Sequence, residues 1–500
     1  MQAHLSRSDG VGECARLLRE LDGAVTAAGA RDAQETIVPG FPYLRADRLS
    51  ESLAGQAVDP ERWYLWRERM AANDRRARRH EFRNAKVPGG PVHAALGLDA
   101  CRDVLLAADE DAAARATLRE AATVPDDYSL TLRVLGLYPL TQLAFAAGIR
   151  NWHEETRAVF ALPLDRVPVH GRLQTYAPAA DAASALVDAP DRWRGAGAPV
   201  VSPAPLALIT PITRDALGVP RVESLAALFM RHAPILEVDD TGPHDRIGPL
   251  AIDAGTLRAR VDSGAPPVLY VQLAFGELGG RLRPQLVYTF WFPARPRAHA
   301  FDLLGGELDG LLWRVTLDDA GAALAYDSIH ACGCYHQFFA MPAVEARAVP
   351  QPAPGPNDEG LFMPQPPLPA APPGARIALR VAAGTHYLQR VRWVDDATVV
   401  TADAAALRYR LRDADELRSL AVTGAAAGGP PFRSVYDDAG MIPGTERRER
   451  YFFWPMGIAS AGQMRQWGRH ATAFVGRRHF DDPRLLNRYF ILTDSPNAPQ

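Results

Sequence analysis

Lysine is almost missing from this chain. Of its 55 basic residues only Lys86 is a lysine, which leaves 54 arginines. With abundant alanine, that bias reads as the mark of a GC-rich genome rather than of a function. Cysteine is scarce too, four in 500 residues, so a disulfide scaffold is excluded. Excess charge of either sign is absent: the net charge is -3 and the isoelectric point near 6.5. That argues against a general nucleic-acid binder, whose footprint is strongly basic. Long apolar runs are lacking as well. The first thirty residues hold no apolar signal core, and the charge-free stretch 134–149 is 16 residues long and broken by Pro139, too short to span a bilayer. A soluble, cytoplasmic chain is the expectation as the sequence stands, and a start lying further upstream would make it periplasmic or envelope-bound. No GxGxxG after a strand, GxxxxGK[ST], HExxH or GxSxG is found, so the common nucleotide-dependent and α/β-hydrolase readings lose support.

What is present is ordinary globular composition, 47% hydrophobic and 23% charged, in a chain long enough for about three domains. Residues 1–125 read as helical. Cys14, Leu17, Leu18, Leu21 and Val25 make one stripe, and Asp59-Pro60-Glu61 is a helix start ahead of the face formed by Trp63, Trp66 and Met70. Cys101 lies on a further stripe with Val104, Leu105 and Ala108. Buried thiols at Cys14 and Cys101 are the plain expectation, and a disulfide between packed helices the sharper one, which needs an oxidising compartment.

Residues 126–215 read as helical, then irregular. In 216–349 the pattern changes to strands: 268–275 and 285–292, rich in β-branched and aromatic residues, then the alternation Leu311, Trp313, Val315, Leu317 and a long extended segment ending near Phe338. An antiparallel meander is the economical arrangement. Residues 350–374 hold ten prolines between Pro350 and Pro373, the composition of a linker or surface loop. Residues 375–500 add strands at 377–381 and 387–400 and an arginine-rich helical or mixed segment at about 460–480. The fold class is α+β, a helical N-terminal region followed by antiparallel sheet and a proline-rich insertion.

Three constellations carry chemistry. The first is His330-Ala331-Cys332-Gly333-Cys334-Tyr335-His336. Imidazole and thiolate are ligands that zinc and copper favour, and on a strand His330, Cys332, Cys334 and His336 share one edge. At about 3.3 Å per residue the two histidines would stand roughly 20 Å apart, so a bend at Gly333 is required. His386 is a further candidate ligand or general base, and Cys332 with Cys334 is alternatively a redox pair. The second is the Asp239, Asp240, His244, Asp245 group, a possible divalent-metal site or simply a turn. The third is Arg465, Arg469, His470, Arg477 and Arg478, a candidate surface for a carboxylate, phosphate or lipid headgroup.

The phrases VPGFPYLRADRL, GELDGLLWRVTLDDAG, YDSIHACGCYH and RQWGRHATAFVGRRHF resemble an uncharacterised proteobacterial protein family; the resemblance spans most of the chain and implies no activity. The leading expectation is therefore a Zn- or Cu-binding protein centred on His330, Cys332, Cys334, His336 and His386, with metal-assisted hydrolysis as a possible activity. The alternatives are a non-catalytic protein binding an anionic small molecule or partner through its arginine-rich C-terminus, and a thiol redox protein.

Overall fold

The computed structural model describes residues 2–87, 89–187, 211–355, 357–395, 406–423 and 431–493. Its N-terminal part is helical because the apolar residues recur at helical spacing and each start is capped. Helix α1 (Gly10–Ala27) buries Cys14, Leu18, Leu21 and Val25. Helix α2 (Pro60–Asn84) begins where Asp59 accepts the Arg62 N–H at 2.9 Å and Pro60 fills the first turn. It buries Trp63, Trp66 and Met70 against α1 and α3 (Pro91–Ala108). Cys14 and Cys101 are not free thiols but a disulfide, with Cα atoms 5.1 Å apart, tying α1 to α3. The arginines of this region turn inward: Asp74 accepts from Arg45 at 3.2 Å, Arg78 at 3.0 Å and Arg102 at 2.7 Å, all buried. Burial would raise the Asp74 pKa, but the three guanidiniums outweigh it and hold the carboxyl below its usual range.

Ten strands form one sheet. In chain order they are β1 (Arg172–Pro178), β2 (Ile235–Asp240), β3 (Val268–Leu278), β4 (Arg281–Arg295), β5 (Gly306–Leu317), β6 (Ala323–His330), β7 (Gln337–Ala340), β8 (Ala375–Val381), β9 (Leu388–Asp395) and β10 (Leu407–Asp413). The spatial order is β7-β6-β5-β4-β3-β10-β1-β2-β8-β9. The run β3 to β7 is the antiparallel meander read from the sequence. Its first turn, Gly279-Gly280, has φ of +66° and +72°, which a two-residue hairpin of this hand requires. The remainder of the sheet is mixed, because β10 pairs in parallel with both β3 and β1, and β8 in parallel with β2. One sheet face packs Leu311, Trp313, Val315 and Leu317 with Phe290 and Tyr288.

Three expectations change. The extended segment after β5 is interrupted, since residues 331–336 form a turn between β6 and β7 rather than a continuous strand. The proline-rich segment is a loop, the second of its two readings, and not a free linker: Phe362 and Leu368 are buried, and it bonds to the sheet through Phe338 N–H to Phe362 C=O and Leu368 N–H to Ala340 C=O, both 2.9 Å. Residues 460–480 contain no helix; they are a largely buried irregular strap that hydrogen-bonds the turn, Arg465 N–H to Ala331 C=O at 2.9 Å. Residues 188–210 of the stretch read as irregular, and residues 396–400 of the last strand read from the sequence, lie outside the described residues; the described part of that stretch supplies strand β1.

Candidate functional site

The turn 331–336 decides where the sequence-predicted ligands go. His330 ends β6, and its N–H donates to Cys334 C=O at 3.0 Å, closing the turn back on itself. Gly333 has φ +94°, and a Cβ there would collide with the Ala471 carbonyl, so the bend depends on glycine. A single row of four ligands therefore does not form. His336 falls on the far side, with Nε2 2.9 Å from Asp327 and its ring stacked on Phe338 at 4.1 Å. Burial pushes its pKa down to about 3. Cys332 and Cys334 are free thiols in mutual contact. The hydrogen bond to Cys332, then burial, raises the Cys334 thiol well above its ordinary value and keeps it protonated.

His330 and His386 do come together, through a residue that was not anticipated. Asp309, on β5, lies between them: His386 Nδ1 is 2.8 Å from Asp309 Oδ2, and His330 Nδ1 is 3.4 Å from Asp309 Oδ1. Beyond His386 stands Asp245, whose Oδ1 is 3.3 Å from His386 Nε2, an ion contact without hydrogen-bond alignment. The four side chains form a buried line, Asp245, His386, Asp309, His330. His386 is fixed by its backbone (φ +54°) and by stacking on Phe292 of β4 at 3.8 Å. Asp245 is fixed by N–H donors from Thr241 at 2.9 Å and Gly384 at 2.6 Å.

The electrostatics separate the four. Burial and the two histidines act oppositely on Asp309, and the histidines win, holding it well below the carboxylate range. Burial alone would lower His386, but the carboxylates of Asp245 and Asp309 outweigh it and raise the imidazole above its ordinary value. For His330 burial wins over Asp309, and the ring is lowered toward the neutral form. No described residue hydrogen-bonds its Nε2. Its ring meets Tyr335 and Tyr387 edge-on at 5.0 and 5.6 Å. Arg295, at the end of β4, donates to Tyr387 Oη at 3.3 Å and makes no ion pair with a described carboxylate.

Glu449 completes the group. Its carboxyl makes no hydrogen bond or ion pair with a described residue, and burial lifts its pKa to about 7 against the pull of Arg295 and Arg447. It occupies the space a side chain on Gly462 would need. Gly462 also lines a small cavity with Cys332, Cys334, Tyr335 and Thr472. Among the described residues, no group of three or more His, Cys, Asp and Glu side chains is disposed to hold a metal ion.

The other two constellations divide. Asp245 joins the site, while Asp239 accepts the His170 and Gly171 N–H groups and Asp240 pairs with Arg246 at 3.1 Å, as turn residues do. In the C-terminal cluster four side chains are internally occupied: Arg465 donates to the Ala459 and Ser460 carbonyls, Arg469 donates to Ala33 C=O, Arg477 meets Asp126 at 2.6 Å, and Arg478 meets Glu359 at 3.2 Å. Arg465 and His470 turn into a second small cavity beside Trp291 and Trp467. Arg465 is buried with no described carboxylate partner, and neither ring nitrogen of His470 makes a well-formed hydrogen bond.

Asp309 had a legible signal. It is in phase with Leu311, Trp313 and Val315, so a carboxylate takes a place in the row of core side chains. Arg295 and Glu449 had none, because only the folded chain brings them near Tyr335 and Asp309. No family model, curated protein or solved structure matches this chain.

Proposed function

We propose that this chain is an acid–base enzyme of hydrolytic type, with His330 as general base and Glu449 as general acid. The carrying observation is the buried line Asp245, His386, Asp309, His330, which ends in an imidazole nitrogen with no partner among the described residues. A base needs a neutral ring held in one orientation, and Asp309 supplies the orientation through Nδ1. An acid working near neutrality needs a pKa near 7, which burial gives Glu449. Arg295, with no ion pair to a described carboxylate, suits an anionic group on the substrate. The small cavity lined by Tyr335 and Gly462 lies beside both groups, since Tyr335 meets the His330 ring and the Glu449 carboxyl stands against Gly462. The Cys14–Cys101 disulfide favours an oxidising compartment over the cytoplasm.

The test is turnover of a panel of esters, amides and phosphoesters that carry an anionic group. The rate should rise with pH as His330 loses its proton and fall as Glu449 loses its own near 7. His330→Gln and Asp309→Asn should each lower kcat by about 10²–10⁴, and Glu449→Gln should remove the alkaline limb. A His330→Gln protein as active as its parent sinks the assignment.

Elemental analysis of the same protein addresses the Zn or Cu reading. One metal per chain would restore it, with Asp309 displaced from between His330 and His386. The anion-binding reading keeps one supporting observation, the buried Arg465 beside His470, whose guanidinium meets the Ala459 and Ser460 carbonyls but no described carboxylate. The redox reading keeps the contact between Cys332 and Cys334, against which stands the raised Cys334 pKa.

A further inference from the structure

Helix α4 (Leu130–Leu135) is turned inside out relative to an ordinary surface helix, and the first turns of helix α5 (Tyr138–Ala161) continue its exposed apolar face. The one charge on α4, Arg133, is buried, donating to Met456 C=O at 2.9 Å and Gly476 C=O at 2.6 Å with its guanidinium over the Tyr128 and Tyr138 rings. The leucines take the outside. Leu130, Val134, Leu135, Leu137, Leu140 and Leu143 are each between 53% and 68% exposed. From Tyr128 to Ile149 the chain has no acidic residue and no charge other than Arg133. A second element extends the face: the Arg450–Phe453 helix packs against α5 through Phe145 and Phe453, 5.1 Å apart, and exposes Tyr451 and Phe452. Isolated exposed leucines are ordinary; eight large apolar side chains on adjoining elements are not.

We propose that this face lies in the surface of an anionic lipid membrane. Its rim carries cationic groups, Arg150 immediately after the uncharged stretch and Arg448 and Arg450 beside the exposed aromatic pair, with the acids Glu154 and Glu155 one turn further along α5 and Glu446 before Arg448. Arg450 donates to Tyr451 Oη at 2.9 Å, so cation and ring sit together as they do at a headgroup boundary. Burying the leucines and pairing the arginines with lipid phosphates would then act at once, the two-signal arrangement that stable interfacial binding requires. No helix among the described residues is long and apolar enough to cross a membrane, so α4 and α5 rest in the interface rather than span it.

Flotation of the full chain with vesicles decides the matter. Vesicles of phosphatidylcholine mixed with phosphatidylglycerol should carry the protein up, and added salt should weaken the association. The double variant Leu137→Glu with Leu140→Glu should lower partitioning by at least about tenfold. Because both sites are exposed, its circular dichroism and melting should match the parent. Tyr451→Ser with Phe452→Ser, on the other element, should act in the same direction. A parent that stays unbound overturns the proposal, as does binding indifferent to phosphatidylglycerol. So does a parent dimer by light scattering that the glutamates dissociate while vesicles capture neither protein; the face would then belong to a second copy of the chain.

Discussion

His386→Phe isolates the electrostatics of the buried line from its packing. The phenyl ring keeps the stack on Phe292, 3.8 Å away and nearly parallel, but neither nitrogen remains. Asp309 loses a 2.8 Å hydrogen bond and Asp245 a 3.3 Å contact, so two buried carboxylates are left facing an apolar ring. Removing one partner from a buried ionic group costs about 3–5 kcal/mol. At about 2 °C per kcal/mol for a large core, melting should fall by about 6–10 °C. The pH dependence is the sharper readout. His386 has a folded pKa raised above its ordinary 6.5, so its protonation contributes stability in full below that value. That contribution is lost as pH rises through the folded pKa. Thermal denaturation across pH 5 to 9 should therefore show a parent that weakens in the upper half of the range and a variant that lacks this decline. Equal melting of the two proteins at every pH would refute the assignment of His386 as the cation between Asp245 and Asp309.

Asp74→Ala should destabilise the helical region by about 3–5 kcal/mol, because Arg45, Arg78 and Arg102 would lose a shared buried carboxylate; urea denaturation measures it. Gly462→Ala should cost about 1–3 kcal/mol, since its φ is +81° and the new Cβ meets Glu449. By displacing the carboxyl it should also shift the alkaline limb of the rate profile, while stability and pH profile both unchanged would count against a role for Glu449.

The sequence alone determined the helical N-terminus and the meander, because both rest on local periodicity. Cys14, Leu18, Leu21 and Val25 recur at the spacing of one helix face, and Leu311, Trp313, Val315 and Leu317 alternate as one strand face must. Asp59-Pro60 likewise carries its cap within four residues. Tertiary structure decided the rest. The turn at Gly333 sends His336 to Asp327 and leaves His330 beside Asp309, so neighbours in sequence part company. Asp245, Asp309, His386 and Glu449 meet across separations of up to about two hundred residues, and no local pattern encodes such a meeting. The same holds for the inverted helix α4, where an arginine goes inside because the carbonyls of Met456 and Gly476 wait there to receive it. Periodicity records which side chains share a face; which partner that face meets is a property of the whole fold.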